Sequence, residues 1–463
     1  MYMISAPNLR LPSNGNKFFL GLVLFCGLFF GCSTTKSSMP SGPTVLEPDV
    51  PAEEEDLIGE VDTIQWTLLP ASEYPPINSS LDMKMPALKR EFKSSYEVAL
   101  LIPFQTSGEN ETSGLNYNKI RFSHFYSGVK MALSTNREDE IEVNITTYDT
   151  NRSVEDFEKV LERMERFKPD IIVGPYQREF IRKIASFAKE NRIPVISPWL
   201  SSTSITSDNL FYLQIRPNIL EYYKNIVKHV NANHDRSRVW LIGRDKGQDE
   251  NKLQAIQQLN ERESILPVVQ PYAEGILSLD TLTQTDSLVF SDIFEQGVEA
   301  FVLPHYIPRD EKYLYSALRK IYAEKGDRDV KVYTLPLALT SEEVDLNILK
   351  NLDINICEYK FPDPGNENVQ AFRKSYFETF GWLPIEDSYY GYDLMNFILF
   401  GLKNHGRYFH YYMIDERLDL LQMSVQIKPF SRTDDENGTD YLMNAHLYMI
   451  EYDEDHFVVK DID

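Results

Sequence analysis

Residues 171–197 read IIVGPYQREFIRKIASFAKENRIPVIS, and this stretch decides the fold. Ile171-Ile172-Val173-Gly174 is a short apolar run closed by a turn, the pattern of a strand buried on both faces. Residues 177–190 then read as a helix, and Ile193 to Ser197 as the next strand. Upstream, Ile141 to Tyr148 alternates apolar and polar side chains as a further strand. Between them Ser153 caps a helix, and Asp156 three positions on closes a capping box. Val154, Phe157, Val160, Leu161, Met164 and Phe167 form that helix's apolar stripe. Strands near 141, 171 and 193, each one helix apart, make a βαβαβ winding. Right-handed crossovers then require a parallel sheet with helices on both faces.

The rhythm extends in both directions. Tyr96 to Pro103 is an apolar run ending in proline, followed after a polar stretch by helical spacing of Phe122, Phe125, Tyr126, Val129, Met131, Ala132 and Leu133. Phe211 to Ile215 reads as one more strand, and then the winding begins again. Val239 to Gly243, Val298 to Leu303 and Val330 to Leu335 are strands separated by helical stretches. The expected fold is α/β, with two Rossmann-like lobes of parallel sheet flanked by helices and joined by crossover hinge strands.

Composition narrows the function. With 47 basic and 70 acidic residues in 463, the net charge is −23, so nucleic acid and anionic lipid surfaces would both repel the chain. Three cysteines with no CxxC pair give neither a disulfide framework nor a zinc or redox site. No Walker loop, HExxH, GxSxG or GxGxxG occurs, and no pair of acids can be placed across a scissile bond. Asp434-Asp435-Glu436-Asn437-Gly438 reads better as an Asn-Gly hairpin turn than as a metal loop. Cys357, in the apolar run Ile354 to Tyr359, reads as a buried thiol. The chain is expected to be no enzyme and to need no cofactor or metal.

The N-terminus carries an address. Residues 1–17 hold Arg10 and Lys17 and no acid, and Phe18 to Phe30 is apolar but too short to span a bilayer, which takes about 20 residues. That is the layout of a cleaved secretory signal. Leu28-Phe29-Phe30-Gly31-Cys32 resembles a bacterial lipobox, which implies a signal peptide over 1–31 and lipidation at Cys32. Ser33 after it implies the outer membrane's periplasmic face, with contact to the membrane through the lipid anchor alone. Residues 32–62 are acidic and free of aliphatic runs, the composition of a disordered tether. About 30 such residues reach on the order of 100 Å when fully extended. Residues 63–95, broken by Pro70, Pro75 and Pro76, are expected to lie extended against the body.

From residue 96 onward the chain resembles the type 1 periplasmic binding proteins of the leucine-binding and receptor ligand-binding type. The likeness rests on Leu101-Ile102-Pro103, Tyr126-Ser127-Gly128, Thr147-Tyr148-Asp149-Thr150, Val173-Gly174-Pro175 and Ile193 to Pro198 followed by Ser201-Ser202-Thr203. Phe211 to Pro217, then Phe372, Tyr376, Phe380-Gly381, Pro384 and Gly391-Tyr392-Asp393, continue it in order. The resemblance implies a first lobe of 96–216 with 363–420 and a second of 217–362 with 421–463. Hinges would fall near Arg216-Pro217 and Tyr359 to Pro362, with a last crossing near 420. A small-molecule ligand would be held in the interlobe cleft. The first lobe would offer Gln105, Thr106, Asp149, Tyr176, Gln177, Arg178, Ser197, Trp199, Ser201 and Ser202, and the second Arg244, Asp245, His305 and Tyr306.

The departures from that family bear on the ligand. Its amino-acid binders usually place a small hydroxyl residue after the Gly-Pro turn, where this chain has Tyr176-Gln177-Arg178-Glu179. Arg178 suits a carboxylate or phosphate, or a surface pair with Glu179 or Glu155. Trp199 and Tyr306 suit stacking on a ligand, or core packing. Two functions stay open. One is a lipid-anchored solute binder for amino-acid-like, peptide or sugar ligands, feeding a membrane transporter or sensing solute. The other is a non-catalytic regulator resembling the outer-membrane lipoprotein activators of penicillin-binding proteins, which touch a peptidoglycan synthase.

Overall fold

The computed structural model describes residues 88–104, 117–136, 141–150, 153–244, 246–263, 269–278, 288–341, 343–344, 346–432, 438–453 and 456–460. All lie in the compact unit Leu57–Asp463. The signal peptide, Cys32, the tether and most of 63–95 fall outside the described residues. So do Gln105, Thr106 and Asp245.

The first sheet runs from β1 (Ser95–Ile102) through β2 (Glu142–Asp149), β3 (Ile171–Val173), β4 (Val195–Ser197) and β5 (Tyr212–Gln214). The second sheet opens with β6 (Val239–Gly243), β7 (Ala273–Ile276), β8 (Ala300–Val302), β9 (Lys331–Thr334) and β10 (Ile354–Glu358). The tail supplies β11 (Arg417–Asp419), β12 (Ser424–Phe430) and β13 (Tyr441–Asn444), then β14 (Tyr448–Asp453) and β15 (His456–Lys460). In order the sheets are β2-β1-β3-β4-β5-β13-β12-β11 and β7-β6-β8-β9-β10-β14-β15. The first five strands of each are parallel and follow the same order, and the tail strands close each sheet with antiparallel pairs.

Strand burial follows the apolar runs: β3, β4, β8 and β10 are buried throughout because helices cover both faces. Ser153 caps the helix Val154–Phe167 through the Asp156 N–H at 3.0 Å, and Phe157, Val160 and Met164 are its buried stripe. Phe157 stacks on Phe180 of the helix Arg178–Asn191, with ring centroids 4.1 Å apart. β7 has no apolar run of its own. It is the edge strand beside β6, and Gly275 leaves room there for Leu288.

The chain passes between the sheets three times. β5 leads through Ile215-Arg216-Pro217 to Asn218, which caps the helix Ile219–Asn233 on the second sheet. β10 leads back through Tyr359-Lys360-Phe361 to the helices Glu367–Phe380 and Glu386–His405. The last crossing is at residues 445–447, not near 420. β12 and β13 still belong to the first sheet, where β13 pairs in parallel with β5 through Leu442 with Leu213 and Met443 with Gln214. The pairing partner lies over two hundred residues upstream, so nothing local marks the crossing. β12 and β13 form the antiparallel hairpin expected around Asn437-Gly438, whose own turn residues 433–437 lie outside the described set. Cys357 is fully buried in β10.

Candidate functional site

In an open parallel sheet the strand order reverses at a switch point, and side chains beyond the carboxyl ends of the two strands there border a crevice. The switch points are β1/β3 in the first lobe and β6/β8 in the second. The residues that follow these strands, together with the crossovers, are the candidate site.

After β3, Gly174 holds φ at +83°, and a Cβ there would lie 2.5 Å from the Leu101 carbonyl oxygen and 3.1 Å from the Trp199 ring. The turn thus needs glycine twice over. It delivers Tyr176, Gln177 and Arg178 to the start of the helix Arg178–Asn191. Gln177 accepts a hydrogen bond from Thr150 Oγ1 at 3.3 Å, beside Asp149 at the end of β2. Arg178 Nη2 donates to Ser204 Oγ at 2.8 Å, and the Ser204 N–H donates to Ser202 Oγ at 3.3 Å. The arginine therefore braces the loop after β4, where Ser201 is half-buried.

Ser197 is fully buried at the end of β4. Trp199 is buried too, in an aromatic tier. Its ring meets Phe122 at 5.4 Å, Phe125 at 5.0 Å and Tyr176 at 6.0 Å. Phe125 meets Tyr390 at 6.0 Å, and Tyr390 meets Tyr359 at 6.2 Å. Tyr390 also donates its hydroxyl to the Pro198 carbonyl. A continuous wall of rings thus runs from the first switch point to the second crossover. Of the two uses the sequence left open for Trp199, this is core packing.

The second lobe's switch point is charged, and its charges pair from within. Arg244 follows β6 and pairs with the fully buried Asp310 at 3.0 Å, its guanidinium over the Tyr313 ring at 5.5 Å. The Arg244 N–H and His305 Nε2 both bond Asp249 Oδ2, at 2.7 and 3.0 Å, while Lys252 holds Oδ1 at 2.8 Å. Burial opposes the charge on Asp249, yet the hydrogen bonds from His305 and Lys252 outweigh it and hold the carboxyl well below its usual range. Burial pushes His305 down despite that carboxylate, so the ring is neutral with its proton on Nε2. Two cations, Arg244 and Lys252, thus balance two carboxylates around a neutral histidine. Tyr306 stands apart and half-buried, its pKa raised to about 12 by burial against the lowering charge of Arg216.

Between the lobes, the crossovers form a floor. Lys360 pairs with Glu386 and lies over the rings of Tyr359 and Tyr390 at 5.1 and 5.3 Å. Glu358 Oε1 accepts from the Tyr359 N–H at 2.7 Å and the Tyr222 hydroxyl at 3.2 Å. Burial pushes Glu358 up to about 7. Arg216 is exposed, and its charge reaches Tyr222, Tyr306, Glu358, Tyr359, Glu386 and Tyr390. The family resemblance implied hinges near Arg216-Pro217 and Tyr359 to Pro362 but assigned their side chains no role. Lys360, Glu386 and the Asp249–Lys252–Asp310 group were missed because, read along the chain, isolated acids and bases look like solvated surface.

Among the described residues, no group of three His, Cys, Asp or Glu side chains is arranged to hold a metal ion. Nor, among them, is any helix long and apolar enough to cross a membrane.

A profile described as the receptor family ligand binding region matches residues 126–394, more than half of the chain. Compared with curated proteins by sequence, the chain has no match. Among solved structures, one described as a branched-chain amino acid ABC transporter from Rhodospirillum rubrum is similar with a TM-score of 0.58 at 12% identity, over 79% of this chain and 100% of that one. A branched chain amino acid ABC transporter periplasmic ligand-binding protein from Burkholderia xenovorans gives 0.53 at 13% identity, over 79% and 94%. An ABC transporter substrate-binding protein from Desulfitobacterium hafniense gives 0.50 at 9% identity, over 79% and 100%. At such identities the likeness speaks for the two-lobe type 1 fold.

Proposed function

The chain belongs to the receptor family of ligand-binding regions, a family of binders rather than catalysts, and from this premise we propose that it closes its two lobes on a small solute. One observation carries the reading. Two sheets of identical strand order are tied by three crossovers, an arrangement in which the loops beyond the switch points would border one hinged cleft. A ligand that touches both lobes favours the closed arrangement in proportion to its differential affinity for it. Amino-acid-like, peptide and sugar ligands are the classes to test, with an ABC transporter as the downstream partner the solved relatives suggest.

The proposal includes an anchor at Cys32 on the periplasmic face of the envelope, the outer membrane being favoured by Ser33. It rests on the lipobox resemblance.

One feature favours a second reading. Tyr176 and Trp199 fill the place beyond the Gly-Pro turn, and the charges of the second switch point pair among themselves. A cleft so occupied suits a regulator that has kept the fold and meets a peptidoglycan synthase through its surface.

The deciding experiment is a thermal-shift screen of the mature chain, solubilised in detergent, against amino acids, peptides, sugars, nucleosides and cell-wall fragments. A solute at 100 times its dissociation constant stabilises the native state by about 2.7 kcal/mol. A hit supports the solute binder. A flat screen refutes it and moves the search to protein partners.

A further inference from the structure

Resting on the solute-binding reading, the geometry points to Arg216 as the anion-recognising residue of the cleft. The ligand it selects carries a compact anionic group, a carboxylate or a phosphate.

Two other places where an anion would be held are already engaged. At the first lobe's helix N-terminus, Arg178 is bonded to Ser204 and the aromatic tier occupies the space in front. At the second lobe's switch point, Arg244 and Lys252 are matched by Asp310 and Asp249. Arg216 differs from both. It stands on the first crossover with an exposed side chain, and among the described residues no acceptor or carboxylate lies within hydrogen-bond or ion-pair distance of it. A guanidinium offers five donors in a planar fork that fits a carboxylate or phosphate in two-point contact.

Charge on the floor supports the assignment. Lys360 and Arg216 are both cationic there, while Glu386 pairs with Lys360 and Glu358 is buried. A local cationic surplus in a chain of net charge −23 gives an incoming anion one favoured point inside an otherwise repelling body. The body of such a ligand would lie toward Tyr306 of the second lobe, whose hydroxyl feels the Arg216 charge. Because Arg216 belongs to the crossover itself, an anion there contacts the element about which the lobes turn.

The test is calorimetric titration of the full mature chain with acetate, benzoate and indole-3-acetate, each beside its neutral amide, and with phenyl phosphate. Arg216→Gln and Arg216→Lys are titrated in parallel, with folding checked by circular dichroism. The expected result is binding of at least one anion and not of its neutral counterpart, weakened about 10- to 100-fold by R216Q and partly kept by R216K. Carboxylates or phenyl phosphate as the better probe tells the two anion classes apart. Equal binding of acid and amide, or R216Q binding as tightly as the parent, overturns the assignment while leaving the solute-binding reading intact. Neutral solutes that bind while every anion fails have the same meaning. No binding by any solute in this set or in the thermal-shift screen overturns both.

Discussion

The fate of single side chains here depends on what stands behind them. Glu358 ends β10 with its carboxyl buried, both hydrogen bonds reaching one oxygen and the charges of Lys360, Glu386 and Arg216 around it. Burial prevails and raises its pKa from 4.5 to about 7. The folded chain therefore keeps a proton that the unfolded chain has lost. This contribution is full below about pH 4.5 and is lost as pH rises through 7. Glu358→Gln preserves the acceptor and removes the titration. Its melting temperature is expected to gain on the parent's from pH 5 to 8, by the equivalent of about 1–3 kcal/mol. Parallel curves for the two proteins would refute the account. Asp393, raised by burial in the same direction despite three backbone N–H donors, leaves a residual slope in both. Local sequence places Cys357 in an apolar run from Ile354 to Tyr359. That the carboxyl is trapped under a tyrosine from a helix more than a hundred residues away was not legible.

Among elements, the tightest contact joins the helices Tyr117–Thr135 and Glu386–His405. They cross at paired glycines. A Cβ on Gly128 would lie 2.0 Å from the Ser388 carbonyl oxygen, and one on Gly391 would lie 2.0 Å from that of Phe125. Backbone meets backbone there, so no flexible side chain can give way. Gly391→Ala and Gly128→Ala are each expected to destabilise the protein by at least about 1–3 kcal/mol in urea unfolding. A change within error in either would show that the helices can part without cost. The second helix carries Glu386 and Tyr390 to the cleft floor, so its seating bears on the site as well. Elements with strong apolar runs, such as β3 or β8, were legible from their own residues. β7, whose Ala-Glu-Gly-Ile carries no run, exists because an edge of the second sheet is there to receive it.

At the scale of the whole molecule, the anchor proposed at Cys32 would have to act through acyl chains, because an acidic body has no electrostatic pull toward lipid. Cys32→Ala is expected to move the protein from the membrane fraction to the soluble fraction of a cell lysate; unchanged membrane association would refute the lipid anchor. If the lobes close as proposed, the contacts at the second crossover would bear on the motion. Phe361 N–H donates to the Gln422 carbonyl at 2.6 Å, Lys360 bridges to Met423, and Asp393 accepts from the backbone of 421–423. These link the second crossover to the segment before β12, within the hinge region itself.

By itself the sequence determined the α/β class, the two successive windings and the strands whose burial on both faces demands unbroken apolar runs. The hinges near Arg216-Pro217 and Tyr359 to Pro362 came from the family resemblance, and the chain does pass between the two sheets at those segments. Tertiary structure alone decided which side chains remain available. Trp199 was drawn into a wall of rings, and Arg244 and Lys252 were matched with Asp310 and Asp249. Arg216 was left exposed at the floor. The reason is physical. Apolar periodicity is a property of neighbours along the chain, whereas the pairing of a charge is settled by whichever opposite charge the fold brings within a few ångströms.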